Sequence, residues 1–163
     1  MYLASCPGVR RALPQMKTYL DYIESPMGWI GLLGSPVGLR RTTLPRRSLD
    51  EAICLLGMEG KEALLWAEPF KNVKENLLEY FSGAPVSFED DPLDLDDAPP
   101  FFRAAWSACR SIPFGETRTY RWLASKAGSN QAFRAAGQAM AGNRLPIIIP
   151  CHRVIASDGT IGG

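Results

Sequence analysis

"FRAAGQAMAGNRLPIIIPCHRVI", residues 133–155, joins a run almost free of side-chain bulk to an isoleucine run closed by Pro150, Cys151 and His152. In its first half Ala135, Ala136, Gly137, Ala139, Ala141 and Gly142 keep the surface slim, while Arg134 and Gln138 stand one turn apart on one face. The preceding "TYRWLASKAGSN" (119–130) places Leu123, Ala124 and Ala127 at helical spacing before a Gly-Ser-Asn turn. Together they predict a helix, a short turn and a second helix over 131–141, the pattern of a helix-turn-helix. A slim helix with a protruding arginine can approach another surface closely. It can equally pack tightly on a neighbour inside the fold. The isoleucine run predicts a buried strand with Pro146 and Pro150 as punctuation. Proline has no amide hydrogen, so the ladder is expected to stop at Pro150 and leave Cys151 at a strand terminus beside a cleft.

His152 is the only histidine of the chain. A thiol with a pKa near ~8.5 needs a base, a nearby positive charge or a helix N-terminus before it becomes a useful nucleophile, and His152 is a candidate base for Cys151. Neighbours in an extended strand point to opposite faces, so proton transfer between them needs a kinked backbone or a bridging water. Taken alone the dipeptide leaves two readings open, a working nucleophile or a buried thiol beside a core histidine. The other cysteines, Cys6, Cys54 and Cys109, form no C-x-x-C pair, and one histidine leaves no recognisable zinc pattern. Cys54 in "LDEAICLLGM" and Cys109 in "FFRAAWSACR" read as small core hydrophobes.

Outward from this region, "EDDPLDLDDAPP" (89–100) is acidic and proline-rich and is expected to link two units. Before it, residues 17–45 alternate apolar and β-branched runs with Pro-Met-Gly and Ser-Pro-Val-Gly, predicting two or three antiparallel strands. Ser48 and Glu51 have capping-box spacing ahead of a short helix. Phe70, Val73, Leu77, Leu78 and Phe81 recur at helical spacing up to Gly83, predicting a helix that packs on the sheet. After the stretch, Phe102, Trp106 and Cys109 mark the apolar stripe of another helix. The expected fold class is therefore α/β of the α+β kind, with residues 1–16 a disordered extension. No apolar run approaches the ~20 residues of a membrane span. Residues 101–163 hold eight Lys and Arg against Glu116 and Asp158, whereas residues 1–100 hold ten against fifteen acidic residues. Such a basic half can attract a polyanion or be no more than a solvated face.

The stretches "PFKNVKENLLEYFSG", "SIPFGETRTYRWLASKAG", "FRAAGQAMAGNRLPIIIPCHRVI" and "SDGTIGG" resemble, in order, those of the O6-alkylguanine-DNA alkyltransferases, or methylated-DNA–protein-cysteine methyltransferases. The resemblance covers roughly residues 17–163 and is strongest from Ile112 onward. It implies a small ribonuclease-H-like sheet-and-helix domain (17–88), the acidic linker (89–100) and a winged-helix-like alkyltransferase domain (101–163). The implied activity is DNA repair by single-use transfer of an alkyl group from O6 of guanine to Cys151, with O4 of thymine a candidate second substrate. The implied catalytic residues are Cys151 as nucleophile, His152 as base through a water, and Asn143 as the residue that holds the turn. By the same resemblance Tyr120, Arg121, Arg134, Ala135, Gly137 and Ser157 contact DNA, with Arg134 filling the space left by a flipped nucleotide. This matches the physical need to extrude a base whose reactive atom is shielded in the stack. The implied partner is double-stranded DNA carrying O6-alkylguanine, met by a cytoplasmic or nucleoid-associated monomer with no metal or other cofactor. In the family the segment after "DGTIGG" continues through a tyrosine, a glycine-rich loop and a helix bearing a glutamate. This chain stops at Gly163, so its last domain is expected to be incomplete. A transfer-incompetent protein that only binds DNA lesions is the alternative, and a Cys-His hydrolase is a third, remote reading.

Overall fold

A computed structural model describes residues 17–160. The expected extension (1–16), with Cys6, and the last three residues lie outside the described residues. Three antiparallel strands open the chain: β1 (Tyr19–Ser25), β2 (Gly28–Gly34) and β3 (Leu39–Thr42). The β1–β2 turn pairs Ser25 with Gly28, whose φ is +124°. A Cβ there would stand 2.3 Å from the Arg46 carbonyl oxygen, so only glycine fits. A two-residue strand, β4 (Leu64–Leu65), adds to β1 in parallel, giving the order β3-β2-β1-β4.

The run "GWIGLLG" of β2 is buried on both faces because helices cover both. Helix α1 (Leu49–Leu55) and the short α2 (Gly57–Glu62) lie on one side, where Leu56 packs with Leu20 and Leu33. Ser48 caps α1 by accepting the Glu51 amide at 3.2 Å, as the spacing predicted. Helix α3 (Lys71–Phe81) covers the other face, setting Val73 and Leu77, with Phe70 just before the helix, against Ile23, Ile30, Leu32 and Leu39. Leu78 of the predicted stripe is exposed instead, because the stripe of α3 is narrower than its apolar content.

The acidic stretch lies against the free edge of β3. The Leu39 amide donates to the Pro92 carbonyl at 2.9 Å and the Asp94 amide returns to the Leu39 carbonyl at 2.9 Å. The buried Asp94 carboxylate accepts the Ser35 hydroxyl at 2.5 Å, and Arg110 donates to the carbonyls of Phe88, Glu89 and Asp91.

Arg110 ends α4 (Pro100–Arg110), whose Ala105, Trp106 and Cys109 are buried. After it come β5 (Arg118–Thr119), α5 (Tyr120–Lys126), α6 (Phe133–Ala141) and β6 (Val154–Ile155), the last paired in parallel with β5. Thr119 caps α5 and Gly128, at φ +98°, turns the chain towards α6. Helix α6 starts at Phe133, two residues later than the spacing suggested. One apolar cluster runs without a break from Ile23 and Leu77 through Trp106 to Ile149 and Val154, so both parts of the chain share a core.

The strand expected over the isoleucine run is not there. Leu145, Ile148 and Ile149 are fully buried, but in a folded-back loop in which the Ile149 amide donates to the Leu145 carbonyl at 2.8 Å. Ile147 sits at φ +75°, the one non-glycine residue with positive φ among those described. For a β-branched side chain that conformation costs about 1–2 kcal/mol. Two prolines four residues apart deny the run a continuous ladder, and burial of its side chains is satisfied by the loop as well as by a strand.

Candidate functional site

Pro150 delivers the chain into a single 3₁₀ turn, Cys151–Arg153, rather than a strand end. The Cys151 amide donates to the Ile149 carbonyl at 2.8 Å and the Arg153 amide to the Pro150 carbonyl at 2.8 Å, which fixes the backbone on both sides of the thiol. In a turn of about three residues per revolution successive side chains diverge by roughly a third of a circle. Cys151 packs half-buried against the core and His152 faces outward. Among the described residues no direct hydrogen bond joins the thiol to the imidazole.

Asn143 ties this turn to the end of α6. Its Nδ2 donates to the Ile149 carbonyl at 2.9 Å, and its Oδ1 accepts the Leu145 amide at 2.9 Å. One side chain therefore closes the loop that holds Ile147 in its strained conformation. Arg153 braces the other side, donating to the Ile112 carbonyl at 2.8 Å with its guanidinium 5.6 Å from the centre of the Phe114 ring.

The electrostatics separate the three described cysteines. Burial pushes the Cys109 thiol up to about 12, with the Cys151 sulfur adding to the shift and Arg153 opposing it. Cys54 is exposed on α1, far along the chain from the turn. Tyr120, the first residue of α5, packs against the same core as Cys151, and burial and then the two sulfurs raise its phenol above the usual value. The pKa of His152 is lowered, first by the partial burial of its ring and then by the charge of Arg153. The ring is therefore biased to the neutral form that can accept a proton. His152 also forms part of the wall of an apolar cavity of about 470 Å³, with Met27, Tyr80, Phe81, Phe114 and Ile147.

The structure thus gathers Asn143, Cys151, His152 and Tyr120 around one loop. Arg134 is exposed at the start of α6, and Ala135 and Gly137 are partly open along the same helix, where a Cβ on Gly137 would meet nothing within 4 Å. Arg121 is exposed on α5, and Ser157 stands apart on an exposed turn after β6. Arg153 was missed by the motif reading, since nothing in the sequence points to its contacts with Ile112 and Phe114. Among the described residues no three His, Cys, Asp or Glu side chains come together as a metal site, and no helix is long and apolar enough to cross a membrane.

Residues 100–163 match the family model described as "6-O-methylguanine DNA methyltransferase, DNA binding domain". The chain is 40% identical over 148 residues to the methylated-DNA–protein-cysteine methyltransferase of Methanosarcina barkeri, covering 89% of this chain and 87% of the relative. Among solved structures, the O6-methylguanine methyltransferase of Mycobacterium tuberculosis superposes with a TM-score of 0.71 at 31% identity, over 90% of this chain and 83% of that one. A crystal structure of Mycobacterium tuberculosis OGT in complex with DNA gives a TM-score of 0.68 at 30% identity, over 89% and 83%.

Proposed function

The chain belongs to the methylated-DNA–protein-cysteine methyltransferase family, which repairs DNA by moving an alkyl group from O6 of guanine onto a cysteine of the protein, and we propose that Cys151 is the accepting cysteine. The observation that carries this assignment is the contrast among the thiols. Cys109 is sealed in the core with its thiol held at about 12, Cys54 lies outside the segment matched by the family model, and Cys151 is half-open on a turn braced from both sides.

In this reading the Cys151 proton passes to neutral His152 through an intervening solvent molecule. The sulfur attacks the alkyl carbon, a new S–C bond forms, the C–O6 bond breaks with its electron pair going to the guanine, and a proton restores the base. The thioether is stable, so each molecule acts once. Asn143 positions the turn. Arg134 enters the duplex in place of the extruded nucleotide, with Ala135 and Gly137 lying against the minor groove, and Tyr120, Arg121 and Ser157 face the backbone. The slimness and exposed charge of α6 support that placement. Residues 101–163 then form the unit that reads DNA and accepts the group, residues 17–88 support it, and 89–100 join the two. The substrate puts the protein on DNA, as a monomer in the cytoplasm or on the nucleoid.

The test is incubation with duplex DNA carrying isotopically labelled O6-methylguanine, followed by peptide mapping. Label on the Cys151 peptide, lost in Cys151→Ala while DNA binding persists, is the expected result. Label on Cys54 or Cys109, or undiminished labelling of Cys151→Ala, would overturn the assignment. Tight lesion binding with no transfer at all would favour the binding-only alternative.

A further inference from the structure

We infer that the cleft between α5 and the start of α6 is a second nucleotide site, one that takes a single unpaired nucleotide of DNA; the inference rests on the DNA-repair reading above. The cleft holds about 660 Å³ and is lined by Thr119, Arg121, Trp122, Asn130, Gln131 and Phe133. That volume lies inside the ~300–1,000 Å³ range of small-ligand sites. It is distinct from the loop that carries Cys151, and none of its lining side chains is acidic.

Its chemistry is that of a stacking platform with cations at the rim. Trp122 forms part of the wall, with the Arg118 guanidinium 5.7 Å and the Lys126 ammonium 6.0 Å from its ring centre. Both distances are near the outer limit of cation–π contact; Arg118 is held by Glu116 at 2.6 Å, so Lys126 is the cation that can swing to a phosphate when a base arrives. Phe133 is 49% exposed although it begins a helix where a polar residue would be at home. A base laid against these rings recovers that apolar surface, Asn130 and Gln131 present amides to its edge, and Arg121 meets its phosphate. Phosphates of an intact duplex would need the cations but not the aromatic walls, and paired bases cannot reach them. An aromatic cleft with cations at its rim and no carboxylate in its lining is the arrangement by which single strands are held regardless of sequence.

The experiment compares the full chain and its variants binding three labelled DNAs of equal length: a single strand, a duplex with one unpaired nucleotide, and a fully paired duplex. Stacking is worth about 1–3 kcal/mol per base, so Phe133→Ala and Trp122→Ala are expected to lose roughly fivefold to more than a hundredfold on the first two DNAs. Binding to the paired duplex should stay within about twofold by this argument, and Trp122→Phe should restore most of the loss. Trp122 is partly packed on the core, so should its alanine variant unfold, the half-exposed Phe133 decides the matter alone. Unchanged binding by Phe133→Ala to all three DNAs, or an equal loss on all three, overturns the site. Alkyl transfer to Cys151 from free O6-alkylguanine base, measured in parallel, reports on the repair reading without the cleft, so the two can fail separately.

Discussion

Asn143 donates to the Ile149 carbonyl and accepts from the Leu145 amide, both at 2.9 Å, so one side chain closes the loop from α6 to Cys151. Removing it in Asn143→Ala leaves the partly buried Leu145 amide without a partner, at about 1–3 kcal/mol, and the Ile149 carbonyl with only the Cys151 amide. The midpoint of urea unfolding should fall accordingly, and alkyl transfer should slow even with free O6-alkylguanine base as donor. Asn143→Asp keeps the acceptor and loses the donor, so its effect should be intermediate. An Ala variant that transfers at the native rate would remove Asn143 from the positioning machinery.

Acid should weaken both stability and transfer through His152. Its folded pKa lies below its ordinary 6.5, so the unfolded chain takes up the proton at higher pH than the folded one. The stability associated with neutral His152 is fully present above 6.5 and is lost as pH falls through the lowered value. Transfer should fade over the same window, since protonated imidazole cannot accept the thiol proton. Arg153→Met removes the secondary cause and should move the fall in transfer to higher pH. A fall in transfer that is unmoved in the Arg153 variant would contradict this role for the ring.

Gly137→Ala separates folding from docking on α6. Glycine in a helix interior costs about 0.5–1 kcal/mol relative to alanine, and a Cβ here meets open space, so the variant should be more stable by that amount. In a protein of this size that is roughly 1–4 °C in melting temperature. The added methyl should nevertheless lower affinity for duplex DNA, and Gly137→Leu should lower it further. If affinity stays unchanged in both, this face of α6 does not lie against DNA.

Thiol-specific reagents should sort the cysteines by accessibility. Cys54 and Cys151 should react in the native protein, Cys54 faster, while Cys109, buried and held at about 12, should react only on unfolding. Prior incubation with O6-alkylguanine DNA should protect Cys151 and leave Cys54 unaffected. Protection of Cys54, read by mass spectrometry of each peptide, would count against the assignment of Cys151.

Helices α3, α4 and α5 were legible because they bury side chains at the helical period, whereas the six-residue α2 was not. The β1–β2 turn was legible because Pro26, Met27 and Gly28 break two apolar runs. The two-residue strands β4, β5 and β6 were not, since two residues carry no alternation to read. The run Ile147–Ile149 misled for a related reason: hydrophobicity reports burial and says nothing of backbone path, and the loop's closure depends on Asn143, four residues before Ile147. The acidic stretch gave no hint that Asp94 would be buried against Ser35, because a carboxylate bound for the interior looks like any solvated one. Of the candidate site, Cys151 and His152 stood out through their motif, whereas Arg153 acts through Ile112 and Phe114, which the sequence places some forty residues away.

Trp106 of α4 donates its buried indole N–H to the Ala139 carbonyl of α6 at 2.7 Å, within the last turn of that helix. A helix pinned there by a rigid bicyclic ring, with Ala136 and Ala139 seated directly on the core, has little freedom to tilt or slide. Any mismatch between protein and duplex is then taken up by bending and groove widening in the nucleic acid. DNA already softened at a damaged or poorly stacked step would be the cheapest to engage, a preference arising from the mechanics of the double helix and requiring no contact with the lesion itself.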